Sequence, residues 1–333
     1  MDRETIQRIV KASGVTAGEL ILIHFWGEDA ERAIANDFAI AVSALGATPV
    51  VLQEARSVNR DMFQAATQTS FGERFFSLYA GCDAVLDVFA YQPVVLGYEL
   101  EAEQMEHYRR YMARLFSALM GCRRFTQIRM PTRANAGESG LEPEAFIRRM
   151  TDAYQVDYDL LQDKCMQAIQ GFQGRDRLVL RTGEECALAF DLTGRQWHAD
   201  AGDGDWPCGE IYIAPNEAGT NGTVFFETLY LEDAGKYQDV KLDIKDGKVV
   251  GSSHPAVTAY LLQLPAGGSV VCELGLGMNP KVTDLCGYPV LDEKMAGSFH
   301  IALGANTMFG GQNEAPMHID LVGAESFSLL PPA

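Results

Sequence analysis

The sequence predicts two domains of different class: an N-terminal α/β domain with a parallel sheet over residues 1–130, and a β-rich α+β domain over residues 131–333. Three observations predict this. A chain of 333 residues exceeds what one core ordinarily fills. Its first third alternates apolar runs with helical periodicity, the pattern of right-handed βαβ units. From Arg177 onward the pattern changes to short strands punctuated by glycine, aspartate and asparagine.

The elements follow in order. Glu19 to Trp26 is an apolar run that turns at Gly27 and reads as a strand. Ile34, Phe38, Val42 and Leu45 then recur at three- and four-residue spacing, a helix stopped by Gly46. Pro49 to Leu52 and Gly81 to Phe89 are the next strands. Two long helices are expected at Glu99 to Met120 and Glu144 to Phe172, with a strand at Phe125 to Met130 between them. Pro131 to Gly140 is rich in breakers and reads as a loop. Strands are then expected at Arg177 to Arg181, Ala187 to Leu192, Thr223 to Tyr230, Val240 to Ile244, Ser269 to Leu276 and Phe299 to Leu303. There is no internal repeat.

Composition bounds the function. Hydrophobic residues make up 47% and charged residues 22%, which suits a globular chain rather than a disordered one. A net charge of −18 disfavours nucleic acid and anionic membrane surfaces as partners and makes the chain hospitable to divalent cations. Met1-Asp2-Arg3-Glu4 lacks the pattern of a signal peptide, and the first apolar run is too short to span a bilayer. Seven cysteines, an odd number with no C-x-x-C pair, suit reduced thiols and a cytoplasmic location.

Charged groups inside apolar strands carry the chemistry, because burying a lone carboxylate is costly unless a cation or donor compensates it. Glu273 interrupts Ser269-Val-Val-Cys-Glu-Leu-Gly275, and Glu210 opens Glu210-Ile-Tyr-Ile-Ala-Pro215. His300 sits in Phe299-His-Ile-Ala-Leu303. His318 and Asp320 flank Ile319, so a strand's period of two puts both on one face. Imidazole with carboxylate is the donor mixture that suits zinc, manganese, cobalt or iron(II). Taken singly, Glu210 or Glu273 reads equally as an ion-paired edge residue, and His300 as a satisfied core histidine.

These five residues, in that order, resemble the M29 aminopeptidase family (aminopeptidase T or S). The resemblance runs through Val156-Asp-Tyr158, Thr182-Gly183, Phe190 to Trp197, Gly209 to Pro215 and Gly222-Thr223, then the strand around Glu273, His300 to Gly304, and His318 to Asp320. It implies that Glu210, Glu273, His300, His318 and Asp320 hold two divalent metal ions (zinc, cobalt or manganese) sharing a carboxylate or a water. It further implies a homodimer that hydrolyses a peptide or small amide, with Glu210 or Glu273 relaying a proton. One departure is Thr307, where peptidases of the family carry a tyrosine.

The chain is similar, second, to the ring-cleaving 2,5-dihydroxypyridine dioxygenases, through Gly304, Asn306, Thr307, Gly310, Gly311 and Pro316 leading into His318-Ile-Asp320. That resemblance implies one iron(II) held by two histidines and an aspartate, with Glu273 standing where a histidine is expected. Tyr91 is then the nearest match to a catalytic histidine, and reads otherwise as a packed surface tyrosine. His107 reads as a solvated helix-face residue and Cys208 as a buried thiol. No partner is apparent at sequence spacing for His24, His198 or His254. A dinucleotide site is not expected, because no G-x-G-x-x-G follows the first strand.

Overall fold

The computed structural model describes residues 1–93, 100–231 and 234–332. The chain divides into two compact units, Met1–Tyr158 with Gly202–Pro207, and Asp159–Ala201 with Cys208–Ala333.

The first unit runs α1 (Arg3–Ala12), β1 (Leu20–Trp26), α2 (Arg32–Ala44), β2 (Thr48–Glu54), α3 (Arg56–Ala65), α4 (Glu73–Phe76), β3 (Ala84–Phe89), α5 (Ala102–Met120), β4 (Arg124–Arg129), α6 (Arg133–Glu138) and α7 (Pro143–Ala153). The strands form a parallel sheet in the order β2–β1–β3–β4. Helices cover it, so β1 and β3 are buried on both faces, which is why they read as continuous apolar runs. Leu22, Trp26, Val85 and Phe89 pack on Phe63 of α3 and on Tyr111, Leu115 and Leu119 of α5. At about 1.5–3 kcal/mol for each fully buried side chain, this layer holds the sheet together.

Three expectations change in this unit. The boundary expected at residue 130 falls at Tyr158, because the segment after β4 is tied back to its own sheet. Asn135 donates to the carbonyls of Phe89 and Met130 at 3.0 and 2.8 Å, and the Tyr154 hydroxyl donates to that of Arg129 at 2.7 Å. The expected loop over 131–140 contains α6, whose N-terminus is capped by the Thr132 hydroxyl accepting from the Asn135 amide at 3.1 Å. The long helix expected from Glu144 is two helices, since the chain leaves α7 at Tyr154, whose amide closes on Met150. Glu99, the expected start of α5, lies outside the described residues.

The second unit begins with α8 (Tyr158–Phe172), β5 (Arg177–Thr182), β6 (Cys186–Asp191) and β7 (His198–Asp200). The chain then lends β8 (Asp205–Trp206) to the first sheet, parallel to β4, and returns as β9 (Glu210–Ile213). There follow β10 (Asn221–Leu231), β11 (Gly235–Lys245), β12 (Lys248–Ser252), α9 (Pro255–Leu262), β13 (Val271–Gly277), α10 (Pro289–Asp292), β14 (Phe299–Gly304), β15 (His318–Gly323) and β16 (Phe327–Leu330). They make two sheets, ordered β12–β11–β10–β6–β5–β16 and β15–β14–β13–β9–β7, with every paired strand antiparallel.

The two sheets share one core. Leu188, Phe190, Val224 and Phe226 of the six-stranded sheet pack in one cluster with Leu274, Phe299, Ile301 and Leu321 of the five-stranded sheet. This burial fixes which residues face away. Phe299, Ile301 and Leu303 of β14 enter the core, so His300 faces out of it. Ile319 and Leu321 do the same on β15, leaving His318 and Asp320, and Ile213 on β9 leaves Glu210 and Tyr212. In β13 the alternation breaks. Val271 pairs with Leu303 but Glu273 pairs with Ala302, so two residues oppose one. The bulge lets Val271 and Leu274 both reach the core while Glu273 joins the outward face.

Candidate metal centre

All five candidate ligands converge on that outward face. His300 Nε2 lies 3.1 Å from Glu273 Oε1 and 3.2 Å from Glu210 Oε2. His318 Nε2 lies 3.7 Å from Glu273 Oε2 and 3.4 Å from Asp320 Oδ1. They therefore form two groups, Glu210–Glu273–His300 and Glu273–His318–Asp320, each with donor atoms within 4.8 Å of one another. Glu273 belongs to both and turns one oxygen toward each histidine. The first group is deep, its His300 side chain fully buried, while the His318 side chain is 27% exposed. The centre thus opens on the His318–Asp320 side.

Backbone contacts aim these side chains. Gly275 is paired directly opposite His300, and a Cβ there would lie 1.9 Å from His300 Nε2. Glycine is required because the imidazole lies over the strand backbone. His318 Nδ1 is 2.9 Å from the Ala305 carbonyl. A carbonyl only accepts, so Nδ1 carries a hydrogen and Nε2 is left facing Glu273 and Asp320, where loss of its own proton would free its lone pair for an ion.

Charge is unbalanced around the centre. Behind Glu210 stands Lys294, 1% exposed, with its ammonium 2.5 Å from Glu210 Oε1, 2.8 Å from Glu293 Oε1 and 3.4 Å from Asp200 Oδ2. Asp200, Glu210, Glu273, Glu293 and Asp320 therefore face one permanent cation and two imidazoles. Burial opposes charge on His300, but the carboxylates of Glu210 and Glu273 beside it outweigh burial and hold the imidazole well above its ordinary range. Burial likewise opposes His318, and the charge of Asp320 overrides it. Glu273 is raised by burial, and Glu293 is raised well above the carboxylate range by burial against the pull of Lys294. Burial would raise Glu210 as well, but Lys294 and then His300 hold it low.

A divalent cation fits this arrangement. Glu210 Oε2 is buried and receives no hydrogen bond, although His300 Nε2 is 3.2 Å away. His300 Nε2 is hydrogen-bonded to Glu273 Oε1 at 3.1 Å, and Glu210 Oε2 is left facing the same space without a partner. Nitrogen and carboxylate donors in that arrangement suit zinc, cobalt or manganese, and the excess negative charge favours binding.

The sequence missed four residues here. Lys294, Glu293 and Asp200 sit in charged segments that read as solvated surface, and only the fold buries them. Gly275 was findable, because an isolated glycine inside an apolar strand signals close approach. Other candidates lie outside the two groups. Cys208 is buried, and burial pushes its thiol well above the ordinary range. Thr307 is exposed. In the first unit, Tyr91 is 4% exposed, and its hydroxyl donates to Glu28 at 3.0 Å and accepts from the Arg56 amide at 2.9 Å. His107 is not merely solvated, since it packs edge-on against Phe63 at 5.5 Å.

Three histidines without apparent partners have them across the fold. His24 Nδ1 donates to Asp87 Oδ1 at 2.8 Å, His198 stacks on Tyr212 at 5.4 Å, and His254 meets Tyr237 at 4.8 Å.

Comparison with known proteins bears on this centre. Wild-type AmpT from Thermus thermophilus is similar in structure, with a TM-score of 0.69 and 18% identity, over 98% of this chain and 94% of that one. A 2,5-dihydroxypyridine dioxygenase from Pseudomonas putida KT2440 is similar with a TM-score of 0.67 and 14% identity, over 99% and 93% of the two chains. At such identities both likenesses show the fold alone. No curated protein sequence gives a significant match. The family model of the thermophilic metalloproteases (M29) matches residues 11–326, a span that holds both groups of the metal centre, and the chain belongs to that family.

Proposed function

We propose that the chain is an aminopeptidase that hydrolyses a peptide or small amide at a pair of divalent ions. Glu210, Glu273 and His300 would hold one ion, and Glu273, His318 and Asp320 the other. The observation that carries this reading is Glu273, the residue common to two converging groups, with Oε1 toward His300 and Oε2 toward His318. Bound zinc, cobalt or manganese would supply a water with its pKa lowered toward about 7 and would polarise the scissile carbonyl.

The side chains divide the remaining work. Lys294 holds one oxygen of Glu210 and leaves the other free for a single bond. Glu273 turns one oxygen toward each ion and Glu210 has an ammonium on Oε1, so the geometry singles out neither as the proton relay. The hydrogen bond from His318 Nδ1 to Ala305 keeps that ring oriented at the open edge, where substrate would enter. The homodimer and the cytoplasmic location belong to the same proposal. They rest on the family resemblance and on seven free cysteines. Among the described residues no helix is long and apolar enough to cross a membrane.

A mononuclear iron(II) dioxygenase is the alternative, and it needs two histidines converging with one carboxylate. The two converging groups here hold one histidine each, which favours the ion pair. Metal analysis of protein purified without chelator tests the choice. About two zinc, cobalt or manganese ions per chain, as a shared-carboxylate site requires, together with hydrolysis of amino-acid amides, is the expected result. About one iron per chain, with oxygen uptake on dihydroxypyridines and no amide hydrolysis, would overturn it.

A further inference from the structure

The sheet face that carries the candidate ligands also carries aromatic rings that the proposal above does not use. Tyr212 projects from β9 in register with Gly275 and, one strand further, with His300. Because Gly275 has no side chain, nothing from β13 stands between Tyr212 and His300 in that row. Phe309, from the turn Thr307–Phe309 between β14 and β15, reaches residues of the same face. Its ring meets Tyr212 edge-on, with centroids 5.3 Å apart at 89°, and meets His318 at 6.1 Å and 81°. Tyr212 in turn stacks on His198 at 5.4 Å and 23°. The rings form a continuous row that starts at a candidate metal ligand on the open side of the centre. All four residues are only partly buried.

The turn that presents Phe309 is fastened rather than loose. The Asn306 side chain, fully buried, accepts from the Asn313 amide at 2.8 Å and donates to the Cys272 carbonyl at 3.2 Å. Arg195 donates to the Gly310 carbonyl and pairs with Glu217 at 2.8 Å, and Glu217 accepts from the Gln312 amide at 2.6 Å. Phe309 is therefore held half-exposed beside a polar, acidic centre. Rigid aromatic surface next to a few convergent polar groups is how a binding site grips an apolar group. At the centre beside it, Glu210 and Asp320 are held below the ordinary carboxylate range and would repel an acidic side chain.

We propose that Phe309 and Tyr212 form the side-chain subsite of this centre and select substrates whose residue at the metal ions is aromatic or large aliphatic. The inference rests on the metal centre proposed above. Its test uses amino-acid hydroxamates, which share one chelating group and differ only in side chain. Their affinities for the zinc-loaded protein would be measured by calorimetry, in wild type, Phe309→Ala, Tyr212→Ala and Tyr212→Phe.

Phenylalanine and leucine hydroxamates should bind at least about tenfold more tightly than glycine hydroxamate, the range open to an apolar pocket. That ratio should fall to within about threefold in Phe309→Ala and Tyr212→Ala and persist in Tyr212→Phe, which keeps the ring. A ratio near one in wild type, or one that survives loss of both rings, would overturn the subsite while leaving the metal centre standing. Failure of every hydroxamate, glycine's included, would overturn the metal centre and the subsite with it.

Discussion

Adding one methyl group at Gly275 should displace a candidate metal ligand, His300, without altering any of the five candidate ligands. In Gly275→Ala the new Cβ would lie 1.9 Å from His300 Nε2, 2.2 Å from Cε1 and 2.7 Å from Cδ2. Non-bonded contacts of this kind settle near about 3.5 Å, so the imidazole must retreat by roughly 1.5 Å. A metal–imidazole bond is about 2.0–2.1 Å long and tolerates about 0.2 Å of error. The His300 ring, fully buried, cannot recover that distance by swinging into solvent. The ion held with Glu210 and Glu273 should therefore bind about 100-fold more weakly or worse, the upper end of what losing an outer-shell partner does, or about 2.8 kcal/mol. The ion at His318 and Asp320 should still bind. Calorimetric titration of the metal-free protein with zinc reads both events, and urea unfolding in chelator checks that the fold survives. Two ions bound with wild-type affinity by a folded Gly275→Ala protein would refute the placement of His300 over the glycine.

The remaining predictions concern buried charge. Lys294→Met keeps the length of the side chain but leaves Asp200, Glu210 and Glu293 facing no ammonium. Breaking a buried ion pair from one side costs about 3–5 kcal/mol, so urea unfolding of the metal-free variant should show a loss of that order. An unchanged midpoint would mean that the ammonium does not hold these carboxylates. In the first unit, burial opposes charge on His24, yet Asp87 and Glu54 outweigh it and raise the imidazole from 6.5 to about 9. A raised value means the charged imidazole stabilises the folded state fully below pH 6.5 and loses that contribution as pH climbs through about 9. The stability difference between wild type and His24→Gln should shrink by roughly 3 kcal/mol between pH 6 and pH 10. A difference independent of pH would mean that His24 is neutral throughout.

Much of this protein was legible in its sequence. The buried parallel strands announced themselves as apolar runs, because both of their faces are covered by helices. His318 and Asp320 could be placed on one face from a period of two alone, since β15 is regular. The five converging residues could be named as candidates, because charge inside an apolar strand calls for compensation and because their order resembles that of the M29 family. What the sequence could not decide depends on register and on contacts between distant segments. Glu273 shares a face with His300 only through the bulge in β13, which strict alternation does not anticipate. Lys294 reads as surface charge until the fold buries it against Asp200, 94 residues away, and Glu210, 84 residues away. His24 likewise finds Asp87 only once β1 and β3 lie side by side. Local pattern fixes which face a residue takes. Which partners it meets there is set by strand pairing, and pairing is a property of the whole chain.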